Sequence, residues 1–221
     1  MGKKYELTNE TREFQGRVLH RIRALKDFGC VRAGDLGGWV EKEGNLSQRG
    51  ACWVYENARV FENARVTGNA WVYENARVFE NAWVTGNAQV YGSARVYGDA
   101  LVFENAWVYG NAQVYGSARV YGNALVFENA RVHGNAVITG CMHIQKTRDY
   151  LTVGPVGSRN DFTTFAKDQN GNVAVSCGCF YGTLDEFSEK VGATHENSKF
   201  GVEYRAAIEL AKAHFTEEEE Q

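Results

Sequence analysis

The chain has 221 residues and a net charge of −3, and the four consecutive Glu residues at 217–220 exceed that net charge by themselves. The rest of the chain is close to neutral, so charge gives no global signal for nucleic-acid binding, and nucleic acid is not expected as a partner. No run of about 18 apolar residues predicts a membrane-spanning helix. Five Cys residues without a disulfide-like spacing, and no apolar leader after Met1, predict a reduced, cytoplasmic protein.

Residues 1–35 are not repetitive and predict an N-terminal β-cap. Alternating apolar residues from Val18 to Leu25 follow Gln15 and Gly16, a pair that is typical of a hairpin turn.

Residues 36–148 contain a six-residue repeat that reads Ala-x-Val-Tyr/Phe-Gly/Glu-Asn and recurs sixteen times from Cys52 onward. Residues two apart in a strand share a face, so Ala and Val are expected to point inward and the residues beside Val outward. The Gly-Asn and Glu-Asn pairs are expected to form corners, because Gly and Asn tolerate positive φ. A strict six-residue period is typical of a parallel β-helix, with three repeats in each coil.

Residues 149–216 predict a small α+β module. Asn170 and Gly171 indicate a hairpin, and Thr183 with Glu186 forms a capping box that begins a short helix. A longer helix is predicted from about Ser198 to Phe215, and residues 217–221 form an acidic tail.

The repeat resembles the left-handed hexapeptide-repeat family, which implies left-handed coils. The flanking segments LHRIRALKDFG (19–29), AGDLGGWVEKE (33–43), GSRNDFTTF (157–165), SCGCF (176–180) and GTLDEF (182–187) are similar to phage- and prophage-encoded hexapeptide-repeat proteins of unassigned function. That resemblance implies a viral protein inside a bacterial host cell. We therefore expect a mainly β protein: a left-handed parallel β-helix of about five to six coils, with an N-terminal β-cap and a C-terminal α+β module.

One outer face of the predicted coils is rich in Trp and Tyr. Such a wall exceeds the apolar surface that monomers usually expose, which predicts a homo-oligomer interface. The alternative is a ladder of rings that stabilises its own strands. The candidate interface residues are Trp53, Tyr55, Trp71, Tyr73, Tyr91, Trp107, Tyr109 and Phe127.

A second outer face carries a column of Arg residues. The corner Glu residues are expected to neutralise this column in a solvated lattice of ion pairs. The alternative is an anion-binding surface, because Arg beside aromatic rings can bind an extended polyanion. The column consists of Arg59, Arg77, Arg95 and Arg131.

The segment 158–161 is the candidate ligand-binding loop, with Ser158, Arg159, Asn160 and Asp161. Exposed N–H groups, a hydroxyl and a guanidinium can hold an anion. The alternative is a turn that caps the neighbouring hairpin. Cys177 and Cys179 alternate along a predicted strand and are interpreted as small buried residues, and no metal or cofactor is expected.

Catalysis is not indicated by the repeats. Acyltransferases of the family often have a His base and a loop that leaves one corner, but no insertion interrupts the repeats after Cys52, and His133 and His143 fall on different faces. No catalytic residue is assigned.

We expect a non-enzymatic phage accessory protein, an oligomeric scaffold that binds or sequesters a host protein or a nucleotide-like ligand. One form of this function is an anti-defence role. The alternatives are a hexapeptide-repeat acyltransferase and a polyanion-binding rod.

Overall fold

The computed structural model describes residues 2–216, and its centre is a parallel β-solenoid built from two-residue strands. Each strand contains the residue before Val and the Val itself, or the equivalent Ile. The strands are β4 (Trp53–Val54), β5 (Arg59–Val60), β6 (Arg65–Val66), β7 (Trp71–Val72), β8 (Arg77–Val78), β9 (Trp83–Val84), β10 (Gln89–Val90), β11 (Arg95–Val96), β12 (Leu101–Val102), β13 (Trp107–Val108), β14 (Gln113–Val114), β15 (Arg119–Val120), β16 (Leu125–Val126), β17 (Arg131–Val132), β18 (Val137–Ile138) and β19 (His143–Ile144).

Three parallel sheets form the walls of the solenoid, and neighbouring strands within a sheet are 18 residues apart. We call them the arginine face (β5, β8, β11, β14, β17), the mixed face (β6, β9, β12, β15, β18) and the aromatic face (β4, β7, β10, β13, β16, β19). The repeated Ala and Val side chains are fully buried, which confirms the predicted inward positions. The mainly β, parallel solenoid class is confirmed, with about six turns, and the handedness of the coils stays a prediction.

The corners differ from the prediction in which residue has positive φ. The residue in the left-handed conformation is the Gly or Glu at the first corner position, before the Asn, Ser or Asp, and six Glu residues adopt this conformation with φ from 53° to 59°. A compensating hydrogen bond is present in several corners: the N–H of Glu80 donates to Glu62 Oε2 at 2.7 Å, and that of Gly98 donates to Glu80 Oε2 at 2.8 Å. The Asn side chains form ladders instead, as where Asn69 Nδ2 donates to Asn87 Oδ1 at 3.2 Å.

The N-terminal segment covers one end of the solenoid. Strands β1 (Tyr5–Phe14) and β2 (Arg17–Ala24) form an antiparallel hairpin around Gln15 and Gly16, as predicted, and β2 pairs with β3 (Leu36–Val40). Strand β3 then joins the arginine face through β5. A short 3₁₀ turn spans Glu43–Asn45. Tyr5 Oη donates to the carbonyl oxygens of Glu43 (2.9 Å) and Leu46 (2.8 Å), which belong to the first turn of the solenoid.

The C-terminal module covers the other end. Its antiparallel sheet contains β20 (Tyr150–Val156), β21 (Asp161–Lys167), β22 (Val173–Cys177) and β23 (Phe180–Thr183), and two helices follow, α1 (Leu184–His195) and α2 (Lys199–Phe215). Hydroxyl groups accept hydrogen bonds from backbone N–H groups of the last coil, which has no further coil above it. Tyr150 Oη accepts from His133, Thr164 Oγ1 from Val137, and Tyr181 Oη from Cys141.

The predicted local signals of the module are present. Asn170 and Gly171 lie between β21 and β22, and Thr183 Oγ1 accepts from the N–H of Glu186 at 3.2 Å in the capping box. The predicted acidic tail lies outside the described residues. No helix in the described part of the chain has the length and apolar character needed to cross a lipid bilayer.

Candidate functional site

The loop predicted to bind a ligand divides between two cavities. Ser158 and Arg159 line a cavity inside the C-terminal module. Asp161 begins β21 and faces a different cleft, where Arg119 of the mixed face lies. Asn160 has a φ of 49° and donates its N–H to the carbonyl oxygen of Gly157 at 3.1 Å, so it forms the turn between them. The four residues therefore do not make a single site.

The cavity that Ser158 and Arg159 line, called the module cavity below, has a volume of about 140 Å³. It lies between the β22–β23 hairpin, helix α1 and helix α2. Its other lining residues are Cys177, Cys179, Phe180, Phe187, Lys190, Val191, Thr194, His195 and Tyr204.

Two glycines allow Arg159 and Tyr204 to take their places around the module cavity. Gly157 has a φ of 71°, and a Cβ there would lie 2.0 Å from Tyr204 Cζ. A Cβ on Gly178 would lie 1.9 Å from Arg159 Nη1. A hydrogen bond connects this loop to helix α2: the N–H of Gly157 donates to Glu203 Oε2 at 2.7 Å. Both glycines have positive φ, and the missing side chains leave the space that Tyr204 and the guanidinium of Arg159 occupy.

The charged side chains of the module cavity are cationic. Arg159 and Lys190 line it beside the imidazole of His195, and no Asp or Glu belongs to its lining within residues 2–216. Phe187 and Val191 are buried and form an apolar wall. Cationic groups beside an apolar wall suit an anion that carries an apolar or aromatic group.

The two cysteines near this cavity differ from the prediction. Cys177 ends β22 and is half-buried, whereas Cys179 lies in the exposed turn before β23. Cys177 Sγ accepts a hydrogen bond from Thr163 Oγ1 at 3.2 Å and lies 3.9 Å from Tyr204 Oη. Burial raises the pKa of Tyr204, Cys177 adds to this rise, and Ser158 and Arg159 act in the opposite direction. Within residues 2–216 no cluster of His, Cys, Asp and Glu is arranged to hold a metal ion.

The predicted aromatic interface is wrong at Trp53. This side chain is fully buried within the chain, because Tyr5 and Phe28 pack edge-on against it at 6.0 Å and 5.2 Å between ring centroids. Trp53 therefore belongs to the core under the N-terminal cap and presents no surface to a partner.

The remainder of the aromatic face is a ladder of rings with one prominent exposed side chain. Tyr73, Tyr91, Tyr109 and Phe127 stack in parallel at 4.7, 4.9 and 5.3 Å. Burial raises the pKa of Tyr73 to about 12. Tyr55 packs edge-on against Trp71 at 5.8 Å, and Trp107 remains 39% exposed. The ladder is the observed arrangement, and Trp107 is its most accessible apolar surface.

Among the residues that the structure describes, the arginine face forms no lattice of ion pairs with the corner Glu residues. Within residues 2–216, none of Arg59, Arg77, Arg95 and Arg131 lies within salt-bridge distance of a carboxylate. Instead Phe14 lies over the guanidinium groups of Arg59 (4.3 Å) and Arg77 (5.0 Å). Burial lowers the pKa of Arg59, and the neighbouring Arg77 lowers it further. The column therefore consists of like charges in register, without carboxylate partners in the described chain.

Sequence reasoning missed Lys190, His195 and Tyr204 as cavity residues. Residues four apart share a face of a helix, so Val191 and His195 signal that this face of α1 packs inward. The sequence does not show that this face meets the loop at 158–161, because that contact depends on how α1 and α2 pack on the sheet.

The repeats match the family described as YdcK Beta solenoid repeat at residues 58–74, 85–103, 94–110, 112–128 and 118–134. The chain is also similar to a protein named Uncharacterized acetyltransferase YdcK, from Escherichia coli (strain K12), with 40% identity over 76 residues. The alignment covers 30% of this chain and 23% of that protein, so the chain spans less than a quarter of the length of this curated relative. These matches support a repeat β-solenoid family.

Proposed function

We propose that this chain is a binding protein whose solenoid is a rigid rod that carries the C-terminal module, and that the module cavity binds a small anion. The observation that supports it is the lining of this cavity, which includes Arg159, Lys190 and the imidazole of His195 and no carboxylate among the described residues. A volume of about 140 Å³ is small beside the roughly 300–1,000 Å³ of pockets for drug-sized ligands. The ligand is therefore a small organic anion, or the anionic end of a larger molecule.

The biological setting belongs to the same proposal. The resemblance of the two flanks to phage-encoded proteins supports an accessory protein that sequesters a host component, either a protein or a nucleotide-like ligand, with an anti-defence role as one form. A nucleotide-like ligand would place one phosphate in the module cavity and leave its other parts outside.

The proposal is tested with phenyl phosphate as the probe, by isothermal titration calorimetry. Phenyl phosphate should bind more tightly than inorganic phosphate, because its ring contacts the apolar wall at Phe187 and Val191. Arg159→Ala should weaken binding by about tenfold or more, since a charge-assisted hydrogen bond contributes about 1.5–3 kcal/mol. Lys212→Ala is the control, because Lys212 lies in the same module but pairs with Glu209 and does not line the cavity.

Two results would contradict the proposal: equal loss of binding in both variants, or no binding by the wild type at millimolar probe. If phenyl phosphate binds as expected, mass spectrometry of small molecules that stay bound through native purification would identify the natural ligand.

Acetyl transfer is the second candidate function, and the name of the Escherichia coli relative, an uncharacterized acetyltransferase, favours it. The regular solenoid argues against it, because no loop interrupts the strands between Trp53 and Ile144. Titration with acetyl-CoA, together with release of the CoA thiol, separates the two functions. Turnover that is lost in His195→Ala would favour transfer, whereas phenyl phosphate binding without acetyl-CoA binding would favour the binding protein.

We also propose that the chain forms a homo-oligomer through the remaining aromatic face, without Trp53. The exposed side chain of Trp107 and the flat ladder of rings beside it support a self-complementary contact between copies.

A further inference from the structure

The column of the arginine face continues past the solenoid into a basic cleft. The N–H of Arg131 donates to Thr147 Oγ1 at 3.1 Å, so the 3₁₀ turn Thr147–Asp149 takes the place of the next strand above β17. A cleft of about 340 Å³ opens beside this turn. It is lined by Lys146, Arg148, Asp149, Lys167, His214, Phe215 and Thr216.

The positive charges of this cleft have no carboxylate partners in the described residues. Lys146, Arg148 and Lys167 form no ion pair within residues 2–216. Asp149, the carboxylate of the cleft, accepts the N–H groups of Gln145 (2.9 Å) and Lys146 (2.7 Å) and thereby holds the turn. The charge of Asp149 is therefore directed at backbone donors, and no carboxylate of residues 2–216 occupies the cationic side chains.

The two halves of the arginine face differ in accessibility. In the lower half, Phe14 of the N-terminal hairpin covers Arg59 and Arg77. In the upper half Arg95 and Arg131 are exposed. Most corners beside the upper half have Gly in place of Glu, at Gly92, Gly98, Gly110, Gly116 and Gly134. An anion that approaches the upper half meets few carboxylates and no covering segment of the described chain.

We propose that Arg95, Arg131 and the basic cleft together form a binding track for single-stranded nucleic acid. Neighbouring coils are about 4.8 Å apart, so Arg95 and Arg131 lie roughly 10 Å apart along one line that ends at Arg148. A single row of cationic side chains can contact the phosphates of one strand, which favours single-stranded over double-stranded nucleic acid. Guanidinium groups bind phosphate through two parallel hydrogen bonds, and Lys supplies point charges. The net charge of −3 is a sum over the whole chain and includes the four Glu residues at 217–220, so it does not report the local charge of this track.

The track is tested by fluorescence anisotropy with a labelled 20-nucleotide oligothymidylate at several salt concentrations. If five phosphates are neutralised, the slope of log K against log salt should be about −3.5, since each phosphate contributes about −0.7 on a single strand. The double variant Arg131→Ala, Arg148→Ala should reduce the slope by about 1.4 and weaken binding at least tenfold at about 50 mM salt.

The control is the double variant Arg65→Ala, Arg119→Ala, which removes the same charge from the mixed face. Lys146→Gln with Lys167→Gln is a second pair within the cleft, in case the first variant unfolds by circular dichroism. The control should keep wild-type affinity, and the second pair should lose affinity as the first does.

Several outcomes would overturn the proposal. One is equal weakening in the control, which would make the binding a general charge effect. Another is equal affinity for a duplex of the same length or for a poly-Glu peptide of similar length, and a third is no binding at the lowest salt concentration. The module cavity and the basic cleft share no lining residue, so Arg159→Ala should leave the salt-dependent binding of the track unchanged, which keeps the two proposals separate.

Discussion

Lys4 Nζ donates a hydrogen bond to the carbonyl oxygen of Cys52 at 2.8 Å, and both residues are buried at the N-terminal end of the solenoid. In the coils above, such carbonyl oxygens accept an N–H from the preceding coil, as Ala70 does from Trp53 at 3.1 Å. The first coil has no coil before it, so the lysine side chain replaces that donor.

Replacing Lys4 by Met should destabilise the fold by about 1–3 kcal/mol, because a buried carbonyl oxygen then loses its donor. The similar volume of Met leaves packing largely intact. Urea unfolding followed by circular dichroism measures the change. Lys3→Met is the control, since Lys3 is exposed and pairs with Glu43 at the surface. Equal stability of the Lys4 variant and the control would show that water satisfies the Cys52 carbonyl.

The same lysine predicts a dependence on pH. Burial lowers the pKa of Lys4 from its ordinary value of 10.5. Between the folded pKa and 10.5 the unfolded chain binds more protons, so the stability of the wild type relative to the Met variant should rise with pH in that window. Unfolding curves of both proteins at about pH 8 and about pH 10 measure this difference, and a constant difference would contradict the shift.

The corner Glu residues give a paired test of backbone strain. Left-handed backbone costs a non-glycine residue about 1–2 kcal/mol, and Gly removes that cost while losing about 0.4–1 kcal/mol in the unfolded chain. Glu80 also accepts the N–H of Gly98, whereas within residues 2–216 Glu74 accepts no such hydrogen bond. Glu74→Gly should therefore be neutral or stabilising and more stable than Glu80→Gly. Thermal unfolding of the two variants decides their order. Equal stability would show that only strain relief matters at these corners, and the reverse order would contradict a stabilising role of the Glu80 hydrogen bond.

The buried positions of the solenoid were predictable because they depend on local spacing alone. A period of two places Ala and Val on one side of each strand, and the period of six closes the coil. Val96→Asp should therefore abolish folding, since an unpaired buried charge costs several kcal/mol. The adjacent Arg95 points outward, so Arg95→Asp should fold. Circular dichroism shows whether each variant folds. A folded Val96→Asp variant would show that the side chain of Val96 does not point into the core.

The candidate site was less predictable because it depends on contacts between distant segments. Trp53 occupies the same repeat position as Trp71, yet Tyr5 and Phe28 bury Trp53. The position of Lys190 beside Arg159 likewise depends on how α1 packs against the sheet. The repeat pattern predicts the surroundings of a residue only where coils lie on both sides of it. At the two ends of the solenoid the neighbours are the N-terminal cap and the C-terminal module, so the pattern does not predict the contacts there.

Self-association through the aromatic face is the last prediction, and Trp107 is the residue to change. Burying an exposed ring contributes about 25 cal/mol per Å² of apolar area, and the rigid ladder loses little conformational entropy on docking. The double variant Trp71→Glu, Trp107→Glu places two charges on that face and should be a folded monomer. Sedimentation equilibrium measures its mass beside that of the wild type.

A variant at Trp53 separates interface from core. Trp53→Ala removes a fully buried ring and should lose about 3–5 kcal/mol of stability. Trp107→Ala should change stability little at concentrations where the protein is dissociated, because the ring is exposed in the single chain. A wild type that is already monomeric at micromolar concentration, or a double Glu variant that keeps its assembly, would remove the aromatic face as the interface. If the double Glu variant keeps its assembly, the contact between copies lies on another surface. The aromatic residues would then serve only to stabilise each chain through the ladder of rings.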